Sequence, residues 1–219
     1  MDANPYDDSY EHYRSTRDKF AAKRFRPRTA AYALADFGRP LRVRPGRRIL
    51  ELGCQFGDVA HYLAMSGTRV VGIDRNFVAL QDGHSTWGRF AGAPVLGDLA
   101  AGSRSLPMRD ACFDGAYSRD VLEHLPSPAV VTELFAELGR VLRPGGRMVH
   151  IVTVREDGPN LDADPTHHIK ENAAWWRSFF TDLGYDVAPN NVAMTYGDNG
   201  QGFKRLVRHH GRFTLRTRR

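Results

Sequence analysis

Ile49-Leu50-Glu51-Leu52-Gly53-Cys54-Gln55-Phe56-Gly57, followed by Val70-Val71-Gly72-Ile73-Asp74, is the stretch whose reading decides the fold of this chain. It describes an apolar strand, a turn with two glycines, a helix, and a second apolar strand ending in an acid. Glycines let the backbone turn sharply and let a ligand approach it, and an acid at the end of the next strand lies where a ribose would sit. Gly53 and Asp74 stand 21 positions apart, close to the roughly 20 of a ribose-binding acid. The dinucleotide spacing Gly-x-Gly-x-x-Gly would need glycines at 53, 55 and 58. Those positions hold Gly53, Gln55 and Asp58, which argues against a nicotinamide dehydrogenase.

Outward from this stretch, strands and helices alternate. Strands are predicted at 47–53, 69–74, 94–97, 113–118 and 147–154, with two final ones within 185–192 and 212–217. Helices are predicted at 58–66, 77–90, 128–142 and 172–183, the third stopped by Pro144-Gly145-Gly146. The alternation predicts an α/β fold with an open, mainly parallel sheet. Residues 1–45 are expected to form an N-terminal helical segment or lid, and 46–219 the main domain. Tyr6, Tyr10 and Tyr13 recur at helical spacing.

With 42% hydrophobic and 26% charged residues, the composition is that of a globular domain. No apolar run approaches the ~18 residues of a membrane span, and the acidic, polar start is unlike a secretory signal. Cys54 and Cys112 read as free thiols of a reducing compartment, so a cytoplasmic location is expected. The formal net charge is +6, and after Asp198 come seven basic residues and no acid. That end could bind a polyanion, but its basic and aromatic residues do not interleave as in an RNA-binding motif. A solvated edge is expected, with no nucleic-acid or membrane partner.

The spacing Glu-x-Gly-x-x-x-Gly at Glu51, Gly53 and Gly57 resembles the first motif of class I S-adenosylmethionine-dependent methyltransferases, type 11-like. Leu106–Ser118, Asp120-Val121-Leu122-Glu123-His124-Leu125 and Leu138–Val149 resemble later motifs of that family, in the same order. The family usually has a third glycine where this chain has Gln55. The resemblance implies a Rossmann-like methyltransferase fold of seven strands, with helices on both faces and the last strand antiparallel. It implies S-adenosylmethionine as cofactor and S-adenosylhomocysteine as product. The strand ends then supply the cofactor residues: Glu51, Gly53, Cys54, Gln55 and Gly57 at the turn, Asp74 and Arg75 at the ribose, Asp98 and Leu99 at the adenine, and Ser118, Arg119 and Asp120 near the sulfonium.

The acceptor side is less sharply written. The segment Asp164-Pro165-Thr166-His167-His168 ahead of Trp175-Trp176 resembles the loop after strand five in some small-molecule methyltransferases. It makes His167 and His168 the expected general bases, since imidazole titrates near ~6.5. Tyr6, Tyr10, Tyr13, His124, Arg155 and Trp176 are expected to line the acceptor site. Asp120-x-x-Glu123-His124 with a later histidine also resembles the metal site of small-RNA 2′-O-methyltransferases and of ubiquinone-pathway O-methyltransferases. Glu-His is frequent in relatives without a metal, and Asp120 is shorter than the usual glutamate, so no metal is expected. The expected function is methyl transfer to oxygen or nitrogen of a small polar or anionic molecule in a specialised biosynthetic pathway. The alternatives are an RNA methyltransferase using the basic end, and a non-methylating cofactor-binding protein or cyclase on the same fold.

Overall fold

The computed structural model describes residues 27–87, 93–100, 106–157, 160–189, 193–198, 204–209 and 211–217. The chain enters through helix α1 (Pro27–Ala33), a π-helical turn (Leu34–Gly38) and the short helix α2 (Arg39–Leu41). The π turn has a local cause. Pro40 has no N–H to give to the carbonyl of Asp36 and its ring crowds that carbonyl, so the turn widens. Ala33, Phe37 and Leu41 recur every four residues and are buried, which packs this segment onto the sheet.

The sheet follows with β1 (Arg48–Leu52), α3 (Asp58–Ala64), β2 (Arg69–Asp74), α4 (Phe77–Trp87), β3 (Ala93–Leu96), β4 (Phe113–Arg119), α5 (Pro128–Val141) and β5 (Leu142–Ile151). Next come α6 (Asn160–Ala163), α7 (Ala173–Asp182), β6 (Tyr185–Val187), a hairpin of β7 (Ala193–Asp198) and β8 (Lys204–His209), and β9 (Arg212–Thr217). The main sheet has seven strands in the order β3-β2-β1-β4-β5-β9-β6. β9 runs antiparallel to both its neighbours; the other pairings are parallel. The expected seven-stranded α/β architecture is therefore present.

One face of the sheet packs with α1, α2 and α3 around Phe37, Ile49, Leu63 and Tyr117. The other packs with α5 and α7 around Leu134, Phe135, Trp176, Phe180 and Phe213. Strand order reverses between β1 and β4, so the ends of β1, β2, β3 and β4 border one cleft, the place where open α/β sheets take ligands. The β7–β8 hairpin is an addition to the expected pattern. It joins β6 to β9 at the same, carboxyl end of the sheet, because β6 leaves and β9 enters there.

Candidate active site

The turn after β1 is built around a carboxylate. Asp74 Oδ2 accepts the backbone N–H of Gln55 and Oδ1 that of Asn76, both at 2.8 Å. Asn76 in turn caps α4, its Oδ1 accepting from Ala79 N at 3.0 Å. Asp74 is buried, and burial raises its pKa against the lowering effect of these two bonds and of Arg75. Gln55 occupies left-handed backbone space at φ +46°, which costs an ordinary residue roughly 1–2 kcal/mol; the bond to Asp74 holds it there. Its side chain is exposed, so this position presents a pinned amide rather than the side-chain amide. Gly53 has φ +65°, and a Cβ on it would collide with Val121. Cys54 is turned inward, its sulfur 2.6 Å from where a Cβ on Gly72 would stand.

Beyond Asp74 lies an apolar shelf that sequence reasoning missed. Leu96 is the Cα partner of Asp74 across β2 and β3; it is 57% exposed, and Phe77 is 55% exposed. Uncovered apolar side chains beside a strand-end acid suit a flat heterocycle. Phe77, three positions after the acid, was the available signal. Asp98 closes a turn by accepting Ala100 N at 2.9 Å and is otherwise exposed, while Leu99 beside it is buried.

At the centre of the cleft stand Glu51 and Tyr117, Cα partners on β1 and β4. Burial, then the charge of Asp58, pushes the Glu51 carboxyl well above its usual range. The Tyr117 hydroxyl is near enough to oppose that shift, yet neither it nor Glu51 Oε2 completes a hydrogen bond of good geometry. Buried polar atoms without partners are uncommon, which makes this pair a candidate contact for a ligand. Arg119 lies beside them, 3.7 Å from Asp58 Oδ2, and stays charged against its burial through Asp58, Asp120 and Glu51. Ser118 corrects an expectation. It is fully buried and shares a 2.8 Å hydrogen bond with His150 Nδ1, facing the α5–α7 core rather than the cleft. His150 packs against Phe135 and Phe180, and burial takes its pKa down to about 3. Asp120 is exposed at φ +52° and accepts Thr153 Oγ1 at 3.4 Å.

The turn after β4 and the loop after β5 meet in a second cluster. Glu123 is fully buried; its Oε1 accepts Thr153 N at 2.7 Å, and its Oε2 has no partner. Burial, with Asp120 nearby, pushes its carboxyl up to about 8. The backbone carbonyl of Glu123 accepts His168 N and Ile169 N, at 2.8 and 3.0 Å, docking the loop onto the turn. Thr166 gives its hydroxyl proton to Asp164 Oδ1 at 2.6 Å, so its oxygen accepts from His124 Nδ1 at 2.9 Å. His167 Nδ1 donates to the Leu161 carbonyl at 2.9 Å. These partners assign both Nε2 atoms as lone-pair sites. Glu123, His124 and His167 each offer a ligand atom, all within 4.8 Å of one another. Burial, then His167, lowers the pKa of His124, leaving it neutral at physiological pH.

The remaining expected acceptor residues are placed differently. His168 is exposed and contributes its backbone N–H. Arg155 straps the loop, donating to Lys170 O at 2.7 Å. Trp176 is fully buried among Phe180, Trp175 and Phe179; the expected acceptor wall is a core residue. Tyr6, Tyr10 and Tyr13 lie outside the described residues. Glu123, Thr153, Asp164 and Thr166 do more at this site than the expectation gave them.

Residues 50–150 match the family model described as a methyltransferase domain. The match runs from β1 to the end of β5 and makes this segment similar to a methyltransferase domain. It is 36% identical over 111 residues to 24-methylenesterol C-methyltransferase 2 of Oryza sativa subsp. japonica, a match covering 50% of this chain and 30% of that protein. It is 30% identical over 130 residues to an O-methyltransferase of Pyrenophora dematioidea, covering 58% and 48%. The matched regions thus span less than half of these curated relatives. Among solved structures, Burkholderia thailandensis 1,6-didemethyltoxoflavin-N1-methyltransferase, with bound 1,6-didemethyltoxoflavin and S-adenosylhomocysteine, shares the fold at TM-score 0.64 and 18% identity, covering 99% of this chain and 92% of that one.

Proposed function

We propose that this chain transfers a methyl group to an oxygen or nitrogen of a small polar or anionic molecule, as part of a cytoplasmic biosynthetic pathway. The observation that carries this reading is the join of two half-sites across one strand end. The cofactor cleft (Asp74, Glu51, Tyr117, Arg119) and the Glu123–His124–His167 cluster are both fixed by the end of β4 and the turn after it. Asp74 would hold the ribose, the Leu96–Phe77 shelf the adenine, and Glu51 with Arg119 the amino-acid end. When bound, S-adenosylmethionine supplies a methyl group activated by a positive sulfur. The protein's task is then to place the acceptor and take its proton. His124 Nε2 is the base, its tautomer set by Thr166 and Asp164; this role moves from His167 and His168, the second of which offers only backbone to the site.

A second reading has specific support. A buried carboxylate oxygen without a partner and two imidazole nitrogens freed by outer hydrogen bonds form a donor set that suits a divalent transition metal. Glu123, His124 and His167 would hold the ion, and it would lower the pKa of an acceptor hydroxyl there.

Methyl-labelled S-adenosylmethionine incubated with the protein and a panel of phenols, hydroxy acids and amines tests the function; label appearing in one class supports it. Tight S-adenosylhomocysteine binding with no transfer to any acceptor favours the cyclase alternative, and label in added RNA favours the RNA one. Transfer that survives EDTA and falls at least a hundredfold in His124→Ala supports the base. Transfer lost to EDTA and restored by Mn²⁺ or Zn²⁺ supports the metal.

A further inference from the structure

The end of the sheet opposite the cleft carries an unusual charge pattern. Arg48 and Arg69 are Cα partners across β1 and β2, and Arg147 and Arg216 are Cα partners across β5 and β9. Like charges set directly opposite on neighbouring strands are destabilising, yet two such pairs occur at this rim, Arg48 and Arg69 on the face of Leu50 and Arg147 and Arg216 on the face of Ile49, where α2 packs. Arg47, at the entry to β1, and Arg42, just after α2, complete the α2-side group. Burial and the neighbouring guanidiniums of Arg216, Arg42 and Arg47 all depress the pKa of Arg147, so the four share one field. The protein satisfies little of it. Arg147 donates to the Pro40 carbonyl at 3.2 Å and Arg47 to the Asp114 carbonyl at 2.9 Å. The Asp114 carboxylate is engaged by Arg143 at 2.8 Å and by the backbone of Arg48 at 2.8 Å. Asp186, partner of Arg216 on β6, is the other acid on these strand ends. Among the described residues no ion pair joins a carboxylate to Arg42, Arg69, Arg147 or Arg216.

We propose that this rim binds the phosphate backbone of a single-stranded nucleic acid, at a surface separate from the methyl-transfer cleft. The basic residues at strand positions and entries are all arginines, whose planar forks chelate phosphate oxygens and stack on bases. Strands lie about 4.8 Å apart, so the α2-side row from Arg47 at β1 to Arg216 on β9 spans roughly 14 Å, room for two or three consecutive phosphates. The nucleic acid is an anchor and not the methyl acceptor, since the rim and the cleft lie at opposite ends of the strands.

The test is fluorescence anisotropy of the full chain with a labelled 20-nucleotide single-stranded RNA. A surface that neutralises about three phosphates gives a log–log salt slope near −2, or about 16-fold weaker binding at 200 mM than at 50 mM salt. The double variant Arg42→Glu/Arg216→Glu weakens binding at least tenfold while S-adenosylhomocysteine titrates as in the parent. If that variant loses S-adenosylhomocysteine binding through misfolding, Arg42→Gln/Arg216→Gln replaces it, with an expected threefold or greater loss. Lys204→Glu/Arg205→Glu, on the hairpin at the other end of the sheet, leaves RNA binding unchanged. No RNA binding at 50 mM salt overturns the proposal. So does binding that follows the hairpin pair instead of the rim pair, and so does binding to phosphatidylglycerol vesicles without binding to RNA.

Discussion

Replacing Asp74 with asparagine separates the structural work of this side chain from its work on the ligand. In the folded protein both carboxylate oxygens accept a backbone N–H at 2.8 Å, from Gln55 and Asn76. Asparagine keeps one acceptor and sets an NH₂ group against the other amide. Leaving a buried N–H without an acceptor costs about 1–3 kcal/mol. The burial that raises the pKa of Asp74 no longer penalises a charge, which offsets part of this cost. The net loss of stability should be about 1–2 kcal/mol, read as a lower urea midpoint at unchanged m. Ligand binding should suffer more. Hydrogen bonds to a charged acceptor contribute about 1.5–3 kcal/mol, so losing those to the ribose hydroxyls weakens S-adenosylhomocysteine by roughly 10- to 150-fold. Calorimetric titration of the folded variant measures it. Binding within threefold of the parent would show that Asp74 only braces the turn, and the cofactor assignment of the cleft would fail with it.

Glu123→Gln should flatten the pH dependence of stability in EDTA. A carboxyl raised from 4.5 to about 8 is held protonated in the folded state, so it adds stability below pH ~4.5 and loses it as pH rises through about 8. At ~1.4 kcal/mol per tenfold of proton affinity, the parent should lose on the order of 3–5 kcal/mol more than the variant between pH 5 and 9; parallel curves would refute the assignment. Gln55→Gly should raise stability by about 0.5–1 kcal/mol, since relief of the left-handed strain exceeds the added freedom of the unfolded chain; a lower urea midpoint refutes it. Trp176→Ala should cost about 3–5 kcal/mol as a core cavity with S-adenosylhomocysteine binding intact in the folded fraction, whereas loss of binding alone would return Trp176 to the ligand.

The strand-end half of the candidate site was legible because its placement is local. Gly53, Asp74 and Asp98 each close a strand, and strand ends can be read from apolar runs and turn residues. The alternation and the family pattern were enough for seven mainly parallel strands with an antiparallel last one, but their order came from the structure. Other parts depended on partners far away in the chain. Nothing near Asp36 announces its buried ion pair with Arg212, 176 positions on. The polar stretch between β6 and β9 read as part of a strand and a basic tail, because a two-stranded hairpin leaves only a short, weakly alternating trace. Ser118 and Trp176 were misplaced for a related reason. A residue at the cleft end of a strand, or on a helix beside the acceptor loop, can face either way, and packing decides which.

The acceptor half shows what a motif leaves open. His124 and His167 were both visible as imidazoles in suggestive company, but His167, with His168, read as a base and His124 as a residue lining the acceptor site. An imidazole acts as a base or a ligand only through the nitrogen whose proton is absent, and the partner of the other nitrogen decides which that is. For His124 that partner is Thr166, 42 positions away, and Thr166 can accept because Asp164 takes its own proton. For His167 it is the carbonyl of Leu161, a backbone atom with no signature in any residue type. The same relay that would leave His124 Nε2 to act as a base would leave it to ligate a metal, and the Glu123 oxygen that has no partner among the described residues suits either role. The choice between base and metal therefore rests on whether an ion sits among these three atoms, which chelation decides directly and residue identity does not.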